Sequence, residues 1–357
     1  MTDLDQRIAS VLRERAEGET DTHRLLRASR ARGRRRQLRR RAATGTALAL
    51  VGVLGFVGVT GTDLAGLSGR LPGTAASPGV AAPVPPRAAG AAGAATDATR
   101  VGADPQVLHF DVDPARARYL GWSVSEMQVE EIRFEAVRGV PVTVQVTRSA
   151  AAFDGLFLEN FPSDVATTPP TFDGEVREVR SPLRPAGSPV AAAGGLVRAW
   201  QPVPGVYARA YLLGFDRDAF GRAMAALRWD EARRCVAPLR LTALPAGATI
   251  GGCTVNVAGF PGGLEVELTL QRGGSTSMRV HLQYAAEIAG QRSDGNRTIG
   301  GRPAYRYGDK LELLGIPRAH LVADFGWPGE GFTAADAATV LAGAQVAKDL
   351  SHPETWD

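Results

Sequence analysis

Between Ala42 and Thr62 the chain runs 21 positions without a charge. A bilayer core needs about 20 apolar residues in a helix, so this run predicts one transmembrane helix, residues 42–62. Upstream, Leu4, Ile8, Val11 and Leu12 recur at helical spacing behind Thr2 and Asp3, which predicts a short amphipathic helix. Downstream, residues 63–105 are rich in Ala, Gly and Pro with neither helical nor strand period, and read as a tether. Alternation begins after that. Val140–Val146, Gly195–Trp200, Val206–Leu213, Leu264–Leu270, Met278–Tyr284 and Ala319–Phe325 predict strands. Helices are predicted over Asp216–Asp230 and Thr333–Asp349, the second opening on a Thr333/Asp336 pair of the capping-box type.

The alternating region also repeats itself. Leu108–Ser125 lies over Leu239–Asn256 at a constant offset of 131, with no gap. Leu108, Pro114, Ala115, Ala117, Gly121 and Val124 meet Leu239, Pro245, Ala246, Ala248, Gly252 and Val255. Each copy then reads as strands closed by a C-terminal helix. The expected fold class is therefore α+β: one N-terminal transmembrane helix, then two similar antiparallel-sheet-plus-C-terminal-helix units outside the membrane. The boundaries read 1–41 (basic tail), 42–62 (span), 63–105 (tether), 106–233 (first repeat), 234–350 (second repeat) and 351–357 (tail).

Charge gives this layout a direction. Residues 1–41 hold 13 arginines against 6 carboxylates, while the whole chain is only +4, so the remainder is net acidic. Arg34, Arg35, Arg36, Arg39, Arg40 and Arg41 sit immediately before the apolar run and act as a topology signal. They hold the N-terminus inside the cell membrane and send the C-terminal domains outside. The basic isoelectric point thus belongs to a short tail, and no nucleic-acid partner is expected. A cleaved export signal built on Arg35-Arg36-Gln37-Leu38 is the competing reading of the same segment. Cys235 and Cys253, both on the outer side, read as one disulfide; two buried free thiols are the rival.

Catalytic patterns are wanting. His109, His281 and His320 fall in strand-like runs, and no nucleophile elbow, zinc-protease or phosphate-loop motif occurs. Asp111, Asp113, Glu130 and Glu131 read as solvated strand edges and turns. The expectation is a protein that is not an enzyme and needs no cofactor or metal. Trp200 and Trp327 are the candidate lining of a ligand groove.

Leu244-Pro245-Ala246-Gly247, then Gly301-Arg302-Pro303-Ala304-Tyr305 and a terminal helix, carry a resemblance. With the basic tail, single span and Ala/Pro tether, the chain resembles uncharacterised actinobacterial single-pass membrane proteins of anti-sigma-factor layout. Their extracytoplasmic part has a PsbP/Mog1-like fold. The resemblance implies a membrane-anchored cell-envelope protein whose outer module binds or senses a protein, glycan or small molecule. An alternative is a transmembrane regulator of anti-sigma type that grips a cytoplasmic partner through residues 1–30. Against a zinc anti-sigma domain, residues 1–41 contain His23 and no cysteine.

Overall fold

The computed structural model describes residues 82–153, 170–180, 194–273, 276–288, 294–328 and 331–356. The amphipathic helix, the arginine run, the span 42–62 and the tether as far as residue 81 lie outside the described residues. No helix among the described residues is long and apolar enough to cross a membrane.

Thirteen strands make one antiparallel sheet. In chain order they are β1 (Arg118–Val124), β2 (Glu130–Val137), β3 (Val140–Thr147), β4 (Val176–Arg180), β5 (Gly194–Val203) and β6 (Val206–Leu213), followed by helix α1 (Arg217–Ala225). Then come β7 (Thr249–Asn256), β8 (Gly263–Arg272), β9 (Thr276–Ala285), β10 (Arg297–Ile299), β11 (Arg302–Tyr307), β12 (Lys310–Leu313) and β13 (Ala319–Pro328), followed by α2 (Ala334–Ala342). The seam between β1 and β7 joins the halves. Outward from it the first half runs β1, β2, β3, β6, β5, β4. The second runs β7, β8, β9, β13, β12, β11 and adds β10 at its edge.

The seam is locally symmetric. Ser123 and Thr254, which the offset of 131 superposes, face each other across it. Both flanking strands bulge at matching places, between Tyr119 and Gly121 on β1 and between Ile250 and Gly252 on β7. The matched glycines explain the close approach: a Cβ on Gly121 would lie 2.7 Å from the Val255 carbonyl oxygen, and one on Gly252 would lie 3.3 Å from that of Val124. Those two valines are themselves matched by the offset.

The α+β expectation is corrected: the described chain is mostly β, with two nine-residue α-helices and one continuous sheet in place of two separate units. Strand alternation reports which face is buried but not who pairs with whom. Here β1 and β7, free edges in the two-unit picture, satisfy each other's backbone groups. The helices are shorter than their apolar patterns suggest because both end by returning to strand. Leu227–Arg228 pairs with Asp111–Val112, and Ala344–Val346 pairs with Leu239–Leu241.

One face of the sheet carries the core. Ile132 and Phe134, Val142 to Val146 in alternation, Leu264 to Leu270 in alternation, Leu321 and Ala323 are buried there. Helix α1 covers β2 and β3 with Ala219, Phe220 and Ala223; α2 covers β12 and β13 with Ala337, Val340 and Leu341. Residues 82–105, the described end of the expected tether, are folded. Ala88 N donates to Ala232 O (3.0 Å) and Ala95 N to Trp229 O (2.7 Å). Gly93 passes so close that a Cβ would lie 2.5 Å from the Trp229 carbonyl oxygen.

The capping box of α2 is present. Asp336 N donates to Thr333 Oγ1 (3.2 Å) and Thr333 N to Asp336 Oδ2 (2.8 Å). Arg272 reaches from β8 to hydrogen-bond Asp336 Oδ1 at 2.7 Å, which holds that carboxyl below its ordinary 3.8. A depressed folded-state pKa adds stability above the unfolded value, and the addition is lost as pH falls through the folded one. Asp336→Asn is expected to flatten the dependence of stability on pH below 3.8, measured by urea unfolding across an acid series.

Candidate functional site

The other face of the sheet is polar, and its chemistry is arranged by register. Direct cross-strand partners on it form one row over the seam: Arg209, Gln145, Glu131, Ser123, Thr254, Glu267, His281 and Val322. Neighbouring side chains on such a row stand about 4.5–5.5 Å apart, close enough to bond. In the first half they do. Gln145 Nε2 donates to Glu131 Oε2 (2.8 Å), and Arg209 donates to Gln145 Oε1 from Nε (3.1 Å) and Nη2 (2.7 Å). Burial pushes the Arg209 guanidinium down to about 10.

The two halves of this face differ in exposure. Thr143, Gln145, Thr147 and Arg209 are buried, although they point away from the core. Two described residues of the connection between β3 and β4, Phe153 and Phe172, lie against this region. Phe153, at the end of a 3-10 turn Ala150–Phe153, sits over Arg209 with its ring centroid 4.8 Å from the guanidinium carbon. Phe172 packs against Tyr207 at 4.9 Å and against Phe153 at 5.8 Å.

In the second half the matching positions line an open groove of about 860 Å³. Glu267 from β8, Arg279 and His281 from β9, Lys310 from β12, and Val322 and Asp324 from β13 form its floor. Tyr307, the last residue of β11, and Asp309, in the turn to β12, form a rim. Two ion pairs run across it, Arg279 Nε to Glu267 Oε1 (3.1 Å) and Lys310 Nζ to Asp324 Oδ2 (2.9 Å). The hydrogen bond and charge of Asp324 raise the Lys310 ammonium's pKa. A Cβ on Gly326 would meet the Asp309 side chain at 2.7 Å, so glycine there lets that carboxylate lie against the strand. This is a mixed-charge surface able to donate and accept hydrogen bonds and to stack an aromatic ring on a cation.

Two further charged clusters lie inside the core. Glu130 is fully buried and accepts from Gly102 N (2.7 Å) and His109 N (2.6 Å), while His109 Nδ1 lies 2.7 Å from its Oε1. Asp111, equally buried, accepts from Tyr119 Oη and, at 2.5 Å, from Arg233 Nη2, which also reaches Glu231 at 2.9 Å. Burial, and then the Asp111 charge, push the Tyr119 hydroxyl well above its usual range. Burial is the largest single influence on Arg233 and opposes its charge, but the Asp111 hydrogen bond and the charges of Asp111, Tyr119 and Glu231 together raise the pKa. These groups tie residues 85–112 and 231–233 to the sheet. The reading of Asp111 and Glu130 as solvated is corrected. Glu130 shares a strand face with Ile132 and Phe134, a signal visible in the alternation.

Among the residues singled out from the sequence, Cys235 and Cys253 form the disulfide, buried where the link between halves passes β7. Trp122 Nε1 donates to the Cys235 carbonyl at 3.0 Å. Trp200 and Trp327 do not share a groove, a correction to the sequence reading. They lie on β5 and β13, with seven strands between them, about 40 Å along the sheet at ordinary strand spacing. Trp200 instead packs edge-on against Trp229 at 6.1 Å, with Arg198 over its ring. Arg34, Arg35, Arg36, Arg39, Arg40 and Arg41 lie outside the described residues. Sequence reasoning missed the groove because its lining comes from strands whose pairing alternation does not specify.

No family model matches the chain. No curated protein matches it either. One solved structure aligns with it, "Crystal structure of MucB in complex with MucA(peri)", at 12% identity over 68% of this chain and 92% of that chain, with a TM-score of 0.20. At that score the likeness carries no argument about this protein's fold or partner.

Proposed function

We propose that this is a non-enzymatic, membrane-anchored binding module of the cell envelope, which presents the groove of its second half to an extracytoplasmic ligand. The observation that carries the reading is the unequal exposure of one continuous polar face. Matching rows of side chains are covered in one half and open in the other. A disulfide between Cys235 and Cys253 suits an oxidising compartment, and the arginine run before Ala42–Thr62 supplies the anchor and its direction.

The test places the photoreactive residue benzoylphenylalanine in the full-length chain in its own cells. Installed in place of His281 it should give a discrete cross-linked adduct on irradiation. Installed in place of the exposed Arg240, on the strand Leu239–Leu241, it should not. Identical products from both positions, or none from either, would count against the groove. Protease added to intact cells should remove residues 82–357, and their survival would refute the outward topology.

A further inference from the structure

The covered half tells what fits the open one. In the first half the polar face is occupied by the chain's own Phe153 and Phe172, described residues of the 28-residue connection 148–175 between β3 and β4. In the second half only 11 residues, 286–296, separate β9 from the next strand, and the chain there goes on to make the extra edge strand β10. The second half has no comparable length to lay over its own polar face. Its matching positions are correspondingly uncovered: Arg279 and His281 are half-buried and Gln283 is exposed, where Thr143, Gln145 and Thr147 are buried.

The chemistry under the cover has a counterpart too. Phe153 is seated on the Arg209 guanidinium above the Glu131–Gln145–Arg209 row. In the second half the row continues as Glu267–His281–Val322, and the cation stands one strand nearer the seam, as Arg279 beside His281. Arg279 keeps 36% of its side chain accessible, Lys310 keeps 49%, and Tyr307 on the rim is 41% exposed. A cation with an uncovered face beside an exposed tyrosine is a seat for an aromatic side chain.

From this pseudo-symmetry we infer that the groove's occupant is an extended segment of a partner protein bearing an aromatic side chain. It would lie over Arg279 as Phe153 lies over Arg209. The inference rests on the groove being the binding site, and names the class of ligand that fills it. The seat of Phe153 on Arg209 is, in effect, the protein's own copy of that contact.

The chain's own connection supplies the probe. A fluorescein-labelled synthetic peptide of residues 148–173 would be titrated by anisotropy into the full-length protein in detergent micelles. Saturable binding is expected. It should weaken about tenfold for Arg279→Ala, the scale of one aromatic–cation contact, and by a similar factor when the peptide carries Phe153→Ala. Tyr307→Ser on the exposed rim should weaken it as well, and Arg240→Ala should not. Failure to bind, or equal affinity for wild type and Arg279→Ala, would overturn the peptide inference and leave the groove to its own cross-linking test. Chitohexaose that bound in an Arg279-dependent way, with no binding of the peptide, would also overturn it while keeping the groove as the site.

Discussion

Glu130→Ala is expected to lower the stability of the folded unit by roughly 3–5 kcal/mol, the cost of leaving several buried hydrogen-bond donors without an acceptor. Removing the carboxylate deletes the acceptor for Gly102 N, His109 N and His109 Nδ1 together, in a site closed to water. Each backbone donor left unpaired there costs about 1–3 kcal/mol, so the orphaned amides alone account for much of the loss. The damage should also be local before it is global. Amide exchange should accelerate first at Gly102 and His109, where the N-terminal segment leaves its anchor, and only later on β8 and β9 across the seam. Glu130→Gln keeps two acceptor sites on one oxygen and should recover part of the stability. Chemical denaturation with hydrogen-exchange mass spectrometry reads both effects. A Glu130→Ala protein within about 1 kcal/mol of wild type, small beside the cost of orphaning these buried donors, would show that water already reaches this carboxylate.

The same residue marks the limit of what the chain discloses before it is folded. Alternation in Glu130–Val137 places Glu130 beside Ile132 and Phe134, so its burial was legible there. Its partners were not, since Gly102 and His109 sit in a stretch that reads as tether and first strand. The offset of 131 located the paired strands Arg118–Val124 and Thr249–Asn256, and even the glycines where their backbones meet. It did not reveal that the two copies share one sheet, because edge satisfaction is a property of assembled strands and not of any one of them. The two C-terminal helices were legible, the second with its Thr333 cap, yet drawn too long. Apolar residues such as Leu227 and Val346 fit the end of a helix and the start of a strand equally well, and pairing decides. The groove was hidden for a related reason. Glu267, Arg279, Lys310 and Asp324 come from four strands that are neighbours only through register.

Cys235→Ala with Cys253→Ala is expected to cost about 3 kcal/mol, the chain-entropy value for a closed loop near this length. The bond closes 18 residues of separation, from the link after α1 to the strand that forms the seam. Its position makes the loss specific. Cys253 pairs with Val124 across the seam, and the Cys235 carbonyl accepts the Trp122 indole, one strand over. The linkage therefore holds the crossing between halves against the two strands whose pairing makes them one sheet. Without it the unfolded chain gains freedom in the link, and the folded seam keeps its ladder bonds but loses its covalent tie. Unfolding should become less cooperative, with the fluorescence of the five tryptophans, Trp122 beside the linkage among them, changing at lower denaturant than the far-ultraviolet signal of the strands. Reductant should reproduce the shift in the wild type only after partial unfolding, because both sulfurs are buried. A double variant that unfolds in one transition at the wild-type midpoint would mean that the seam is secured by its backbone pairing alone.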